Sequence, residues 1–196
     1  MNIPSKINCF KLIKKTDMMD HIIAHSIMVS NVALFLTIKL KKHFPDLDVR
    51  LATSAALLHD ITKTRSFDTN EIHSETGGLM LTDMGYPEVG DIIRQHVILD
   101  SYENDSPVSV QEIVNYSDKR VLHDKVVSLN KRLKYIKLRY GSRKEFKDKI
   151  QIMWTNTLNL ENKIFHPLDI TPDQLSEHMT QKIKKEDYLK SISLFP

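Results

Sequence analysis

The sequence predicts an all-α fold, and three observations carry that expectation. Apolar residues recur at helical spacing along most of the chain, strand-like alternation is nearly absent, and only 5 of 196 residues are glycine. Hydrophobic residues make up 41% and charged residues 27%, the balance of a globular chain that can bury a core. The length suits one domain with a small appendage. The single cysteine, Cys9, excludes a disulfide framework and a Cys-based zinc site, and fits a reducing, cytoplasmic setting. The N-terminus lacks a charged-then-apolar leader pattern, and no apolar run is read as reaching the ~18–20 residues a membrane span needs.

The elements follow in order. Thr16 is expected to cap a long helix to about Lys42, with a seam at Ile22, Val29, Val32, Ala33, Leu36 and Leu40. Pro45 and Asp46 open a second helix to Leu58, rich in small residues at Ala52, Ala55 and Ala56 and ending in His59-Asp60. A third spans Glu71 to Met84 and stops at Gly85. Pro87 starts a fourth, through Ile98, with Ile92, Ile93 and Val97 inward. Ser109 caps a fifth to about Val121. Val126, Leu129, Leu133, Ile136 and Tyr140 then repeat at helical spacing until Gly141. A seventh helix turns Phe146, Ile150, Met153 and Trp154 inward, and Ile170-Thr171-Pro172-Asp173-Gln174 spells a staple, cap, first-turn proline and capping box for the last. Gly141 marks the expected boundary between a main domain over 1–140 and a C-terminal helical extension over 141–196.

Charge is unevenly spread. The balance is −5 from Met1 to Asp118, +9 from Lys119 to Lys149 and −1 beyond. An acidic half suits cations and a basic stretch attracts phosphate, although charge runs are usually solvated helix faces.

The informative residues are polar ones on apolar faces. His25 lies in the seam with Ile22 and Val29, and His59 and Asp60 close a helix of small and apolar residues. His73 shares a face with Gly77, Met80 and Met84, His96 with Ile92 and Ile93, and Asp118 with Val114 and Val121. Six groups of ligand type thus point inward from five helices. Burying any one alone costs several kcal/mol, roughly, so each needs a partner. A lone inward histidine is more often a hydrogen-bonded core residue, and the bland reading of Asp118 beside Lys119 and Arg120 is a salt bridge. The joint occurrence points to iron, manganese, cobalt or zinc. His21, His43, His123, His166 and His178 lack comparable support.

With His25, then Leu57-Leu58-His59-Asp60-Ile61-Thr62-Lys63, then Asn115-Tyr116-Ser117-Asp118-Lys119-Arg120-Val121, the chain resembles the HD phosphohydrolase superfamily over roughly residues 16–125. His73 with Gly77-Gly78, and Ile92-Ile93-x-x-His96, are similar to the extra histidines of its two-metal branch. The nearest likeness is to the symmetrical diadenosine tetraphosphate hydrolases. The chain differs from them at His96-Val97-Ile98-Leu99-Asp100 and at Asp118-Lys119-Arg120-Val121. The resemblance implies a compact helical bundle and a metal-dependent phosphohydrolase acting on a nucleotide-like small molecule with metal-activated water. It implies one divalent ion on His25, His59, Asp60 and Asp118, and a second on His73 and His96, bridged by Asp60. Two such ions sit ~3.5–4 Å apart. Asp60 and Lys63 are then the catalytic candidates, and Lys63, Arg65 and Arg120 the phosphate-binding ones, with exposed loop charges as the bland reading for Lys63 and Arg65.

Other function classes stay open at this stage: a metal- or nucleotide-binding module without turnover, and a di-iron oxygenase. The filled ligand set argues against the first and Lys63 against the second. Nucleic-acid binding through 119–149 ranks low, because Tyr135 and Tyr140 stand in no recognised motif. No membrane partner is expected, and a homodimer is left open. If the basic helix only presents a solvated face, changing Lys131, Lys134 and Lys137 together to Glu should leave the unfolding midpoint and small-substrate turnover nearly unchanged. Lost turnover in a folded variant would place those lysines at the active site.

Overall fold

Helix α2 (Asp20–Leu40) is central to the core and packs against α3 (Val49–Leu58) and α7 (Val110–Lys119). The computed structural model of the protein describes residues 1–140, 144–179 and 183–193. Before α2 runs α1 (Lys6–Lys15). After it come α3 (Val49–Leu58), α4 (Lys63–Thr69), α5 (His73–Asp83), α6 (Pro87–Arg94) and α7 (Val110–Lys119). A two-stranded antiparallel hairpin follows, β1 (Val121–Leu122) with β2 (Lys125–Val126), Val121 facing Val126. The chain continues with α8 (Leu129–Tyr140), α9 (Lys144–Phe165), a 3-10 turn (Pro172–Gln174), α10 (Leu175–His178) and α11 (Lys185–Ser193). The fold is all-α apart from that hairpin. The expected break at Gly141 and the inward side chains of Tyr140 and Phe146 lie outside the described residues.

Helix α2 is long and apolar enough to cross a membrane by length and composition alone, contrary to the reading of the bare sequence. Its apolarity is spent on the core instead: 67% of its most apolar window is buried. Two of its buried polar groups bond to the backbone of neighbouring elements. Ser30 Oγ donates to the Thr53 carbonyl at 2.9 Å, and Asn31 exchanges two 2.9 Å hydrogen bonds with the backbone of Ile183. The Asn31 clamp fixes the chain just before α11, whose Tyr188 meets Phe10 of α1 edge-to-face with centroids 5.5 Å apart.

Several boundaries differ from expectation. Thr16 ends α1 rather than starting α2, which begins at Asp20 after Met19. Ser5 caps α1, accepting from the Asn8 N–H, and the helix buries Cys9, Phe10 and Ile13. The sequence reading passed over it because many of its remaining positions are lysine. Asp48 caps α3, accepting from the N–H groups of Arg50 and Leu51. Ser109 caps α7 as expected, and Glu112 completes a capping box with it.

Helices α5 and α6 form a close antiparallel pair. Gly85, at φ 83°, makes the left-handed turn between them. A methyl group at Gly78 would meet the Gly90 carbonyl at 2.9 Å, and one at Gly90 would meet the Gly78 carbonyl at 2.5 Å. Only glycine at both positions permits this approach.

Arg120 joins the C-terminal helices to α7. Its guanidinium donates to the Tyr116 hydroxyl, to Glu161 of α9 at 3.1 Å, and to the carbonyls of Val127 and Pro172 at 2.8 Å each. It is 3% exposed. Removing one partner of such a buried network leaves the others uncompensated. Arg120→Ala should therefore lower the unfolding free energy by about 3 kcal/mol in denaturant titration, with metal content unchanged. An unaltered midpoint would show that the strut contributes little.

Candidate metal centre

The six expected ligands converge. His25 comes from the second turn of α2, and His59 and Asp60 follow the last turn of α3. His73 is the first residue of α5, His96 stands two residues past the end of α6, and Asp118 is in the last turn of α7. The structure thus departs from the sequence reading at His96, which is not helical. Its position is held by other means. The Lys119 ammonium donates to its carbonyl, and Asn115 Nδ2 donates to the neighbouring Gln95 carbonyl at 2.9 Å.

Three imidazoles are oriented in the same way. Nδ1 of His25 lies 2.9 Å from the His123 carbonyl, Nδ1 of His59 2.7 Å from the Ala56 carbonyl, and Nδ1 of His96 2.6 Å from the Ile93 carbonyl. A carbonyl only accepts, so each Nδ1 carries a hydrogen, and a ring with no second hydrogen turns a bare Nε2 lone pair inward. Nε2 of His25 then faces Asp118 Oδ1 at 3.0 Å, and Nε2 of His96 faces Nε2 of His73 at 3.2 Å. Lone pairs opposed at these distances repel unless a cation or a proton sits among them.

Asp60 lies at the middle of the cluster. Its Oδ2 is 3.5 Å from His59 Nε2, whereas its Oδ1 is 3.1 Å from His73 Nε2 and 3.5 Å from His96 Nε2. Two trios of donors each lie within 4.8 Å of one another: His25, His59 and Asp118, and His59, Asp60 and His96. Among the described residues His59 Nε2 and Asp60 Oδ1 are buried without a hydrogen-bond partner. Adjacent ligands ~2.1 Å from one ion are separated by about 3.0 Å at octahedral and 3.4 Å at tetrahedral angles. The observed 3.0–3.8 Å separations include those edges. The orphaned atoms, the inward lone pairs and the donor chemistry together fit a divalent metal.

The protonation states suit ligation. Burial pushes His59 down to about 3, against the opposing pull of Asp60 and Asp118. Burial also lowers His73, again opposed by Asp60. For Asp60, burial acts upward, but His59, Lys63 and the His73 and His96 rings outweigh it and hold the carboxyl well below the usual range. Asp118 is likewise pushed up by burial and pulled further down by Lys119, His25, Arg132 and His59. Neutral imidazoles and ionised carboxylates are the forms that bind metal.

The expected phosphate-binding residues divide. Lys63 reaches the cluster, its Nζ 3.7 Å from Asp60 Oδ1 and 3.1 Å from His73 Nε2. Arg65 turns outward to Glu71, 2.8 Å away. Arg120 is the strut described above and its nitrogens are taken by protein acceptors. The sequence reading missed three contributors. Lys119, 2% exposed, pairs with Asp118 Oδ2 at 3.3 Å, and Arg132 of α8 lies 3.5 Å from Asp118 Oδ1. His123, in the left-handed turn between β1 and β2 at φ 56°, supplies the carbonyl that orients His25. No Asn-Gly or Asp-Gly pair signals that turn, so nothing in the sequence points to it.

The cluster opens into a cleft of about 210 Å³ whose walls include Asp60, Lys63, Phe67, Arg132 and Tyr135. Comparison with protein families finds the HD domain over residues 22–137. No curated protein and no solved structure matches the chain.

Metal-free protein should lose stability on acidification. The folded-state values of His59 and His73 lie below the usual imidazole value of 6.5, so between pH 6.5 and the folded values only the unfolded chain takes up their protons. Stability then falls with pH over that window, by up to about 1.4 kcal/mol per pH unit for each imidazole. Asp60 and Asp118, held low, add a further loss only below pH 3.8. Chelator-treated protein should melt at progressively lower temperature from pH 7 to pH 4.5, and His59→Gln should flatten the slope. A level profile in the unmodified protein would contradict these shifts.

Proposed function

Because the chain belongs to the HD domain family, generally one of metal-dependent hydrolases, we propose that it hydrolyses a phosphoester or phosphoanhydride of a nucleotide-like small molecule. The observation that carries this reading is the placement of Asp60. Its two oxygens face different imidazoles, Oδ2 towards His59 and Oδ1 towards His73 and His96, with the Lys63 ammonium alongside. His25, His59, Asp60 and Asp118 would hold one ion, and His73 and His96, sharing Asp60, would hold a second. When bound, such ions neutralise phosphoryl oxygens and make water nucleophilic near neutral pH.

The protein's own groups do the rest. Lys63, whose side chain is 26% exposed, presents its charge to the cleft and binds a phosphoryl oxygen as a point charge. Lys119 anchors Oδ2 of Asp118, leaving Oδ1 turned to His25 and His59. The backbone carbonyls on Nδ1 keep the imidazoles from rotating out of line. The cleft admits a phosphoryl group with part of its organic substituent and leaves the remainder in solvent. Iron or manganese suits the mixed imidazole and carboxylate set.

Elemental analysis beside a screen of nucleotides and dinucleoside polyphosphates tests the proposal. Metal-replete protein should turn over at least one of these esters or anhydrides. His59→Ala and Asp60→Ala should lose both metal and turnover, and the pair His73→Ala with His96→Ala should halve the metal content while keeping the first ion. Full metal content in either single variant would refute the site, and no turnover of any phosphate by replete protein would refute the activity.

A further inference from the structure

One face of the basic helix does not behave as a solvated surface. In α8, Lys131, Lys134 and Lys137 are exposed, but Arg132 and Tyr135 are half-buried, and with Arg139 they line the cleft that opens onto the metal centre. The Arg132 guanidinium lies 5.8 Å from the centroid of the Tyr135 ring, and that ring packs edge-on against His123 at 5.6 Å. Arg132 is therefore held by its neighbours while its charge is only partly compensated. Among the described residues its one carboxylate contact, to Asp118 Oδ1, is 3.5 Å long, and its buried Nε has no hydrogen-bond partner. Such a donor costs free energy as it stands and gains a partner when an anion enters. On α4, Phe67 lines the same cleft and remains 48% exposed, an apolar ring left in water beside three cations.

From these observations we infer that the Arg132–Tyr135 face of α8 is the substrate-binding wall of the cleft and accepts a phosphate ester carrying a flat aromatic group. Arg132 donates through its planar fork to a phosphoryl oxygen on the side opposite Lys63, a match that a point-charge ammonium does not provide. Tyr135 and Phe67 take the ring of the substituent by offset stacking or edge contact. The inference relies on the hydrolase reading for the ester's fate, whereas anion binding by Arg132 is independent of turnover.

Two measurements on metal-loaded, full-length protein separate these claims. For binding, the probe is inorganic phosphate in titration calorimetry. Arg132→Met should weaken phosphate about tenfold, the worth of one charge-assisted hydrogen bond in a partly dry site, and Arg132→Lys should recover part of that loss. Metal content should be unchanged in both variants. Unaltered phosphate affinity in Arg132→Met overturns the proposal. So does metal loss in that variant, which would make Arg132 a positioning group for Asp118. For the ring, the readout is the ratio of kcat/KM for phenyl phosphate to that for glycerol 2-phosphate. Tyr135→Leu should lower the ratio several-fold, by roughly the worth of an aromatic contact, and a ratio that does not move refutes the aromatic half. Should neither ester be turned over by the unmodified protein, the ring claim fails, while the hydrolase reading rests on the wider screen of nucleotides and dinucleoside polyphosphates. Weakened phosphate binding in Arg132→Met would still uphold the anion site.

Discussion

Three hydrogen bonds from imidazole Nδ1 to main-chain carbonyls govern the organisation of the centre. Each fixes a tautomer and a ring plane, and each sends a lone pair into a space lined by other lone pairs and carboxylate oxygens. Buried among hydrocarbon, that collection is stable only with positive charge in its midst. The surroundings supply some of it through Lys63, Lys119 and Arg132, all close to the two carboxylates. The tight packing around it also follows. The carbonyls that orient the rings belong to helix ends and to a two-residue turn, so those ends must be held as firmly as the helix interiors.

Much of this was legible in the sequence because burial leaves a periodic trace. His25 and Asp118 interrupt apolar seams, and His59-Asp60 closes a run of small residues, so their inward direction follows from helical spacing. Pro87 and Ser109 announced their helices correctly. What was misread involves short-range geometry. Arg120 lies two positions after Asp118, and Arg65 two after Lys63. Residues two apart on a helix do not share a face. The structure follows that rule: Asp118 and Lys63 face the centre, whereas Arg120 and Arg65 turn to α9 and to Glu71.

Other features left no trace. Helix α4 has no buried side chain, so it carries no apolar stripe to detect. The β1–β2 turn uses His123 in a conformation that residue type does not announce. Arg132 reaches Asp118 across 14 positions that include this turn, a proximity no periodicity encodes. Lys119 looked like one more charge in a basic run, yet it is almost fully buried because two acceptors, a carboxylate and a carbonyl, await it.

The glycine contact between α5 and α6 has a consequence for how the centre assembles. It joins two helices adjacent in the chain, so the His73–His96 contact closes a loop of only 23 positions, whereas His25 and Asp118 meet across 93. On a simple chain-closure estimate the longer loop costs about 1.2 kcal/mol more in entropy, before any helix or hairpin has stiffened the intervening segment. The two halves of the ligand set therefore differ in contact order. One is a local hairpin product, available early to a collapsing chain. The other exists only after the whole topology has condensed around α2.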